Sequence, residues 1–220
     1  MANVLDNLTW FGHSSFMVKD GKTGNNFYFI DPFDLKQTPK DKADAVFITH
    51  AHFDHFSPAD LRRIIHERTA VYGVRGCEGS GLPAGQMTIV EPNKMFIAAG
   101  IRVKTIPAYN IKPERTSFHP KENKWVGYIF EFNGGMVYHA GDTDFIPEMK
   151  ELKDIDVAML PIGGSYTMDV KEAIEAANTI NAKVTIPMHY KRILGTNARK
   201  AEEEFKSGVK GKVVVMKEFA

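Results

Sequence analysis

The segment Thr49-His50-Ala51-His52-Phe53-Asp54-His55 constrains this chain more than any other. Four side chains able to ligate a cation fall within six residues, between a strand-like run at 45–49 and a helical run that Ser57 opens as N-cap with Pro58 behind it. A strand-to-helix loop this dense in imidazole invites a metal, because protonated histidines crowded together repel. Alternation lets His50 and His52 reach one ion together. The turn after Phe53 carries Asp54 and His55 a few ångströms away, toward a second ion. Neutral imidazoles and a carboxylate suit zinc first, with manganese and iron as alternatives.

The rest of the chain is strand-rich. Short apolar runs fall at 8–11, 15–19, 27–30, 45–49, 70–74, 87–90, 101–106, 126–132, 136–139, 157–160, 184–187 and 212–216. Helical patterns are fewer: 58–68, 147–152, 170–180 behind Asp169, and 198–206 behind Asn197. Strands interleaved with helices predict sheets with helices packed outside, and this many strands fit two sheets better than one. A chain of 220 residues with 43% hydrophobic residues can bury a single core, so one domain over 1–220 is expected.

Composition narrows the function classes. A formal charge of +1 gives no global attraction to nucleic acid, so a small-molecule substrate is expected rather than a polynucleotide. No apolar stretch is long enough to span a bilayer, and the N-terminus lacks the pattern of a signal peptide. Cys77, the lone cysteine, cannot form an internal disulfide, which suits a cytoplasmic location. A homo-oligomer is compatible with all of this.

Further segments extend the pattern: Trp10-Phe11-Gly12-His13-Ser14, Ile30-Asp31-Pro32, Tyr138-His139-Ala140-Gly141-Asp142-Thr143, Leu160-Pro161-Ile162-Gly163-Gly164 and Ile186-Pro187-Met188-His189. With the histidine loop, they resemble the metallo-β-lactamase superfamily. The likeness is to a branch of small hydrolases that includes ascorbate-6-phosphate lactonase and the N-acylphosphatidylethanolamine phospholipases. That resemblance implies a four-layer αββα sandwich with a two-metal site at one edge. It assigns His50 and His52 to the first metal, Asp54, His55 and His189 to the second, and Asp142 to both. Asp31 would steady the ligand loop from behind.

One position departs from the family pattern. A third histidine for the first metal is expected after the run at 101–106, where this chain has Pro107-Ala108-Tyr109-Asn110. Either His119 folds back to supply the imidazole, or the first site is weak, since an amide suits harder ions than zinc. His13 and His139 have two readings each, as contacts supporting the site or as residues bonded to backbone. The long stretch 110–124 carries Lys112, Arg115, Lys121 and Lys124; with Lys191 and Arg192 it is expected to surround the cleft and favour an anionic or phosphorylated substrate.

The expected activity is hydrolysis of an ester, lactone, amide or phosphodiester by water activated between two divalent ions, with Asp54 orienting that water and taking its proton. Three alternatives stand beside it. A nuclease of the same fold would normally carry an inserted domain and a basic tract, a di-iron oxygen-reducing protein would have glutamate where His52 stands, and a non-catalytic or single-metal binding protein would suit the departure at Asn110.

Overall fold

The computed structural model describes residues 4–20, 26–78, 81–82, 85–132 and 135–219. Thirteen strands are described, in two sheets. The first holds β1 (Leu8–Gly12), β2 (Ser15–Asp20), β3 (Asn26–Ile30), β4 (Ala45–Phe47), β5 (Ala70–Gly73) and β6 (Met87–Ile89), in that spatial order. The second runs in reverse, with β7 (Met95–Ala98), β8 (Ile101–Pro107), β9 (Val126–Phe132) and β10 (Gly135–His139) followed by β11 (Val157–Pro161), β12 (Val184–Met188) and β13 (Lys212–Val213). Each sheet is antiparallel in its first strands and parallel in its last: β3 to β6 in one, β10 to β13 in the other.

The faces between the sheets are apolar and aromatic. Phe47 of the first sheet meets Phe130 of the second edge-on at 4.8 Å between centroids, and Tyr28 meets Phe132 at 5.2 Å. Burying each such ring contributes about 1.5–3 kcal/mol. The buried Tyr128 hydroxyl donates to the carbonyl of Ile48 (2.9 Å), a polar tie across the seam beside the histidine loop.

Helices cover the outer faces. On the first sheet α1 (Pro58–Ile64) buries Leu61 and Ile64. On the second, α2 (Val170–Ile180) lays Ala173, Ala176, Ala177 and Ile180 inward, against β11 and against the later α4 (Ala198–Gly208). A four-residue α3 (Lys191–Leu194) follows β12. The result is the αββα sandwich anticipated above. No described helix is long and apolar enough to cross a membrane.

Several boundaries differ from the pattern reading. The first helix ends at Ile64 because Ile65 turns extended, so it does not reach Arg68. Residues 147–151 form a 3-10 turn. Asn197 makes no side-chain cap, because a 3-10 turn at Gly195–Asn197 runs directly into α4. The strand expected at 212–216 is ordered as a ladder only over Lys212–Val213. β7, which no apolar run announced, is a short edge strand with Met95 and Ile97 exposed.

Candidate metal centre

The histidine loop leaves the end of β4 and is held from beneath by Asp31, one residue beyond its parallel neighbour β3. Asp31 adopts φ 45° and is fully buried, a strained left-handed conformation that its bonds explain. One oxygen accepts the Thr49 N–H (2.7 Å); the other accepts the Thr49 hydroxyl (2.6 Å) and His55 Nδ1 (2.8 Å). Because a carboxylate only accepts, His55 keeps a proton on Nδ1, which leaves Nε2 facing the site as the nitrogen where a cation would replace the second proton. The Thr49 hydroxyl donates to Asp31, so it accepts from His50 Nδ1 (3.0 Å) and leaves the His50 Nε2 lone pair turned toward His52 Nδ1 (3.1 Å). A tight turn then closes with the His55 and Phe56 N–H groups on the His52 carbonyl, which brings Asp54 and His55 round.

The second sheet supplies the facing side. Asp142 lies three residues past β10, and His189 directly follows β12 at φ 55°. Here Gly163 is obligatory, since a Cβ on it would lie 2.3 Å from the His189 carbonyl oxygen. His119 folds back from the long loop, and Asn110 stands behind it. Asn110 Oδ1 accepts from His119 Nδ1 (2.7 Å), while its amide nitrogen donates to Asp144 (2.9 Å) and to the Tyr166 carbonyl (3.1 Å). The residue that departs from the family pattern therefore aims an imidazole at the cluster from behind.

Besides Asp31, His50 and His55, whose carboxylate Thr49 and His55 already occupy, two groups of donors result, one of His50, His52 and His119, the other of His13, Asp54, His55 and His189, and the ligand atoms within each lie within 4.8 Å of one another. Asp142 stands between them. Its oxygens are 3.3 Å from His55 Nε2, 3.0 Å from His189 Nε2, 3.4 Å from His119 Nε2 and 3.9 Å from His50 Nε2. His13 Nε2 is 3.2 Å from Asp54. His139 joins neither group. Its Nε2 donates to the Ser14 carbonyl (3.0 Å) and its Nδ1 accepts the Gly141 N–H (3.2 Å), so it braces the turns that carry His13 and Asp142.

This donor set fits divalent cations. His55 Nε2, His119 Nε2, His189 Nε2 and Asp142 Oδ1 are buried, close to other donors, and without a partner in hydrogen-bonding geometry, an arrangement folded proteins rarely leave uncompensated. Ligand atoms about 2.0–2.1 Å from one zinc ion stand roughly 3.3 Å apart across a tetrahedral edge. His50 Nε2 and His52 Nδ1 are 3.1 Å apart, a little under that spacing.

The electrostatics follow from burial and pairing. Burial lowers His50 and His52 below the usual imidazole range and, despite the Asp54 bond, takes His13 to about 4. Burial opposes charge on His55 too, yet Asp142 and Asp31 outweigh it and hold its pKa well above the usual value. Burial likewise works against the two carboxylates. It is outweighed at Asp54, brought to about 2 by the His13 bond and the field of His55, and at Asp142, held far down by His189 and His55. Both carboxylates are thus ionised across the neutral range.

Above the cluster opens a cleft of about 560 Å³, with His13, His52, Asp54, His119, Asp142 and His189 on its floor. Phe53, Phe118, Ser165, Tyr166, Arg192 and Ile193 form its walls. The ring of positive charge expected there is absent among the described residues. Arg115 is buried against Glu172 and Asp144, Lys112 pairs with Glu172, Lys121 with Glu148, Lys124 with Glu91 and Lys191 with Glu218. Only Arg192 of that set lines the cleft. The aromatic walls carried no spacing signal, although Phe53 sits inside the ligand motif itself.

Comparison with known proteins bears on the fold and on metal dependence. The family described as beta-lactamase superfamily domain matches residues 7–189. A UPF0173 metal-dependent hydrolase from Methanoregula boonei is 36% identical over 190 residues, covering 83% of this chain and 81% of the relative. Among solved structures, a candidate metal-dependent hydrolase from Parabacteroides distasonis superposes with a TM-score of 0.81 at 31% identity, over 96% of this chain and 93% of that one. Igni18, a metallo hydrolase from Ignicoccus hospitalis, gives 0.74 at 28% identity, over 97% and 95%.

Proposed function

The chain belongs to the beta-lactamase superfamily domain family, in its branch of metal-dependent hydrolases, and on that premise we propose that it cleaves an ester, lactone or phosphodiester in a small molecule with water activated between two divalent cations. The observation that carries the proposal is the convergence of two donor groups on either side of Asp142, beneath an open cleft. His50, His52 and His119 would hold one ion, Asp54, His55 and His189 the other, and Asp142 would touch both. Zinc suits this set best, with manganese and iron next. When bound, such a pair brings the pKa of an adjoining water toward neutrality and polarises the oxygen of the scissile group.

The chain's own residues do the rest. Asp54 faces the cleft as an ionised carboxylate and is the group placed to orient the attacking water and take its proton. His13 fixes its direction through the 3.2 Å contact. Asp31 and Asn110 keep His55 and His119 turned inward. All 220 residues serve one hydrolase domain in this reading. Its single cysteine suits a reducing cytoplasm.

The test is hydrolysis of a panel of model esters, lactones and phosphodiesters by protein stripped with a chelator and then reloaded. Activity should vanish on stripping and return as two equivalents bind. Asp54→Ala or His52→Ala protein as active as the parent would overturn the reading. One tight equivalent with no turnover on any substrate would favour a binding protein.

A further inference from the structure

The walls of the cleft are chemically uneven. Phe53 is 72% exposed, Tyr166 43% and Phe118 37%, and these are three of the nine large apolar side chains left open among the described residues. Phe118 and Tyr166 meet edge-on at 4.8 Å to form one wall. Across the floor, Phe53 meets Phe33 edge-on at 6.0 Å, and the Arg192 guanidinium lies 5.3 Å over the Phe33 ring. Exposed aromatic surface gathered at one mouth marks a binding site rather than ordinary surface.

Arg192 is the only Lys or Arg side chain among the described residues lining the cleft. Its one ion-pair contact is loose, 3.7 Å to Asp34, and Asp34 is already held at 2.7 Å by Lys36. The guanidinium is therefore free to turn to an anion in the cleft, packed on an aromatic face that keeps it oriented. Apart from any cation on the floor, the wall thus offers one charge-assisted contact, enough to read a single negative group placed beside the aromatic rings.

We infer that the cleft takes a substrate carrying one flat apolar group, seated between the Phe118–Tyr166 wall and Phe53, and one negative charge, read by Arg192. This names the substrate class for the hydrolase reading and rests on it, but the binding test below does not require turnover.

The probes are three phosphonates whose only ester bonds are to methoxide, a poor leaving group: monomethyl phenylphosphonate, with ring and charge; monomethyl methylphosphonate, with charge alone; and dimethyl phenylphosphonate, with ring alone. Each is titrated calorimetrically into the metal-loaded protein. The first should bind about tenfold tighter than either of the others, since an aromatic contact and a charge-assisted bond each contribute that order. Arg192→Gln should weaken the phenyl monoanion about tenfold and leave the neutral phenyl diester unchanged. Phe118→Ala with Tyr166→Ala should bring it close to the methyl monoanion.

Equal binding of phenyl and methyl monoanions would overturn the inference, as would an affinity for the phenyl monoanion that Arg192→Gln leaves unchanged. Sedimentation of the protein with phosphatidylcholine vesicles, lost in Phe53→Ala, would assign the aromatic rim to a lipid surface and also overturn it. Turnover without a phenyl preference sinks this inference alone. The binding pattern without turnover on any substrate sinks hydrolysis alone.

Discussion

Asp31→Asn is nearly isosteric, yet the hydrogen bonds around Asp31 make it a severe change. In the parent, one buried carboxylate oxygen takes the His55 Nδ1 proton directly and the His50 proton through the Thr49 hydroxyl. An amide nitrogen in that place can only donate. His55 Nδ1 must then accept, the Thr49 hydroxyl must turn its proton onto His50 Nδ1, and both rings move their own proton to Nε2, the atom facing Asp142. A protonated nitrogen cannot ligate a metal. Losing one supporting partner typically costs about 10–100-fold in metal affinity; two rings disabled together should cost about 10²–10⁴-fold, or about 3–6 kcal/mol at 1.4 kcal/mol per decade. The fold itself should change little, because the amide oxygen still accepts the Thr49 N–H and each lost bond is replaced by one of opposite polarity. Competition titration against a chromophoric chelator measures the affinity, imidazole nitrogen chemical shifts report the tautomers, and thermal melting in excess chelator checks the fold. Parent-like affinity in a folded Asp31→Asn protein, or His55 still protonated on Nδ1, would refute the reasoning.

Asn110→Leu should weaken the first metal by about 10–100-fold and leave one equivalent bound at limiting metal, read by elemental analysis; two full equivalents would argue against Asn110 as the support of His119. Arg115→Met should lower stability by about 3 kcal/mol in urea unfolding, at the low end for a broken buried ion pair because Lys112 still reaches Glu172. A loss under about 1 kcal/mol would mean that the buried pair costs as much in desolvation as it returns. Gly163→Ala should lower the melting point by the equivalent of about 1–3 kcal/mol, because its methyl group meets the His189 carbonyl oxygen; an unchanged melt would show that β11 and β12 can part without penalty.

The sandwich was legible in the sequence because its central strands are near-continuous apolar runs, as strands buried on both faces must be. Val157–Pro161 and Val184–Met188 are buried at every position. β7 escaped notice because an edge strand of four residues with two exposed side chains has no alternation to display. The histidine loop was legible through spacing alone. The partners of the basic loop were not, because Glu172, Asp144, Glu148 and Glu91 lie far away in the chain and pairing is a tertiary fact. Asn110 shows the limit most plainly. Its identity marked a departure, but only the chain's folding back through His119 reveals the amide as a support rather than a missing ligand.

Three residues of the cluster stand closer to the sheets than the walls do. His189 follows β12 by one residue, and His50 and Asp142 follow β4 and β10 by three, so strand positions hold them stiffly. Tyr166 lies five residues past β11, Arg192 four past β12, and Phe118 well along the loop that follows β8. Tyr166 and Arg192 thus lie on stretches of chain apart from the candidate ligands, whereas Phe53 and Phe118 sit beside them, between His52 and Asp54 and next to His119. Loop substitutions can retune what enters the cleft while the sheets keep the same reactive floor, so relatives sharing these ligands need share no substrate.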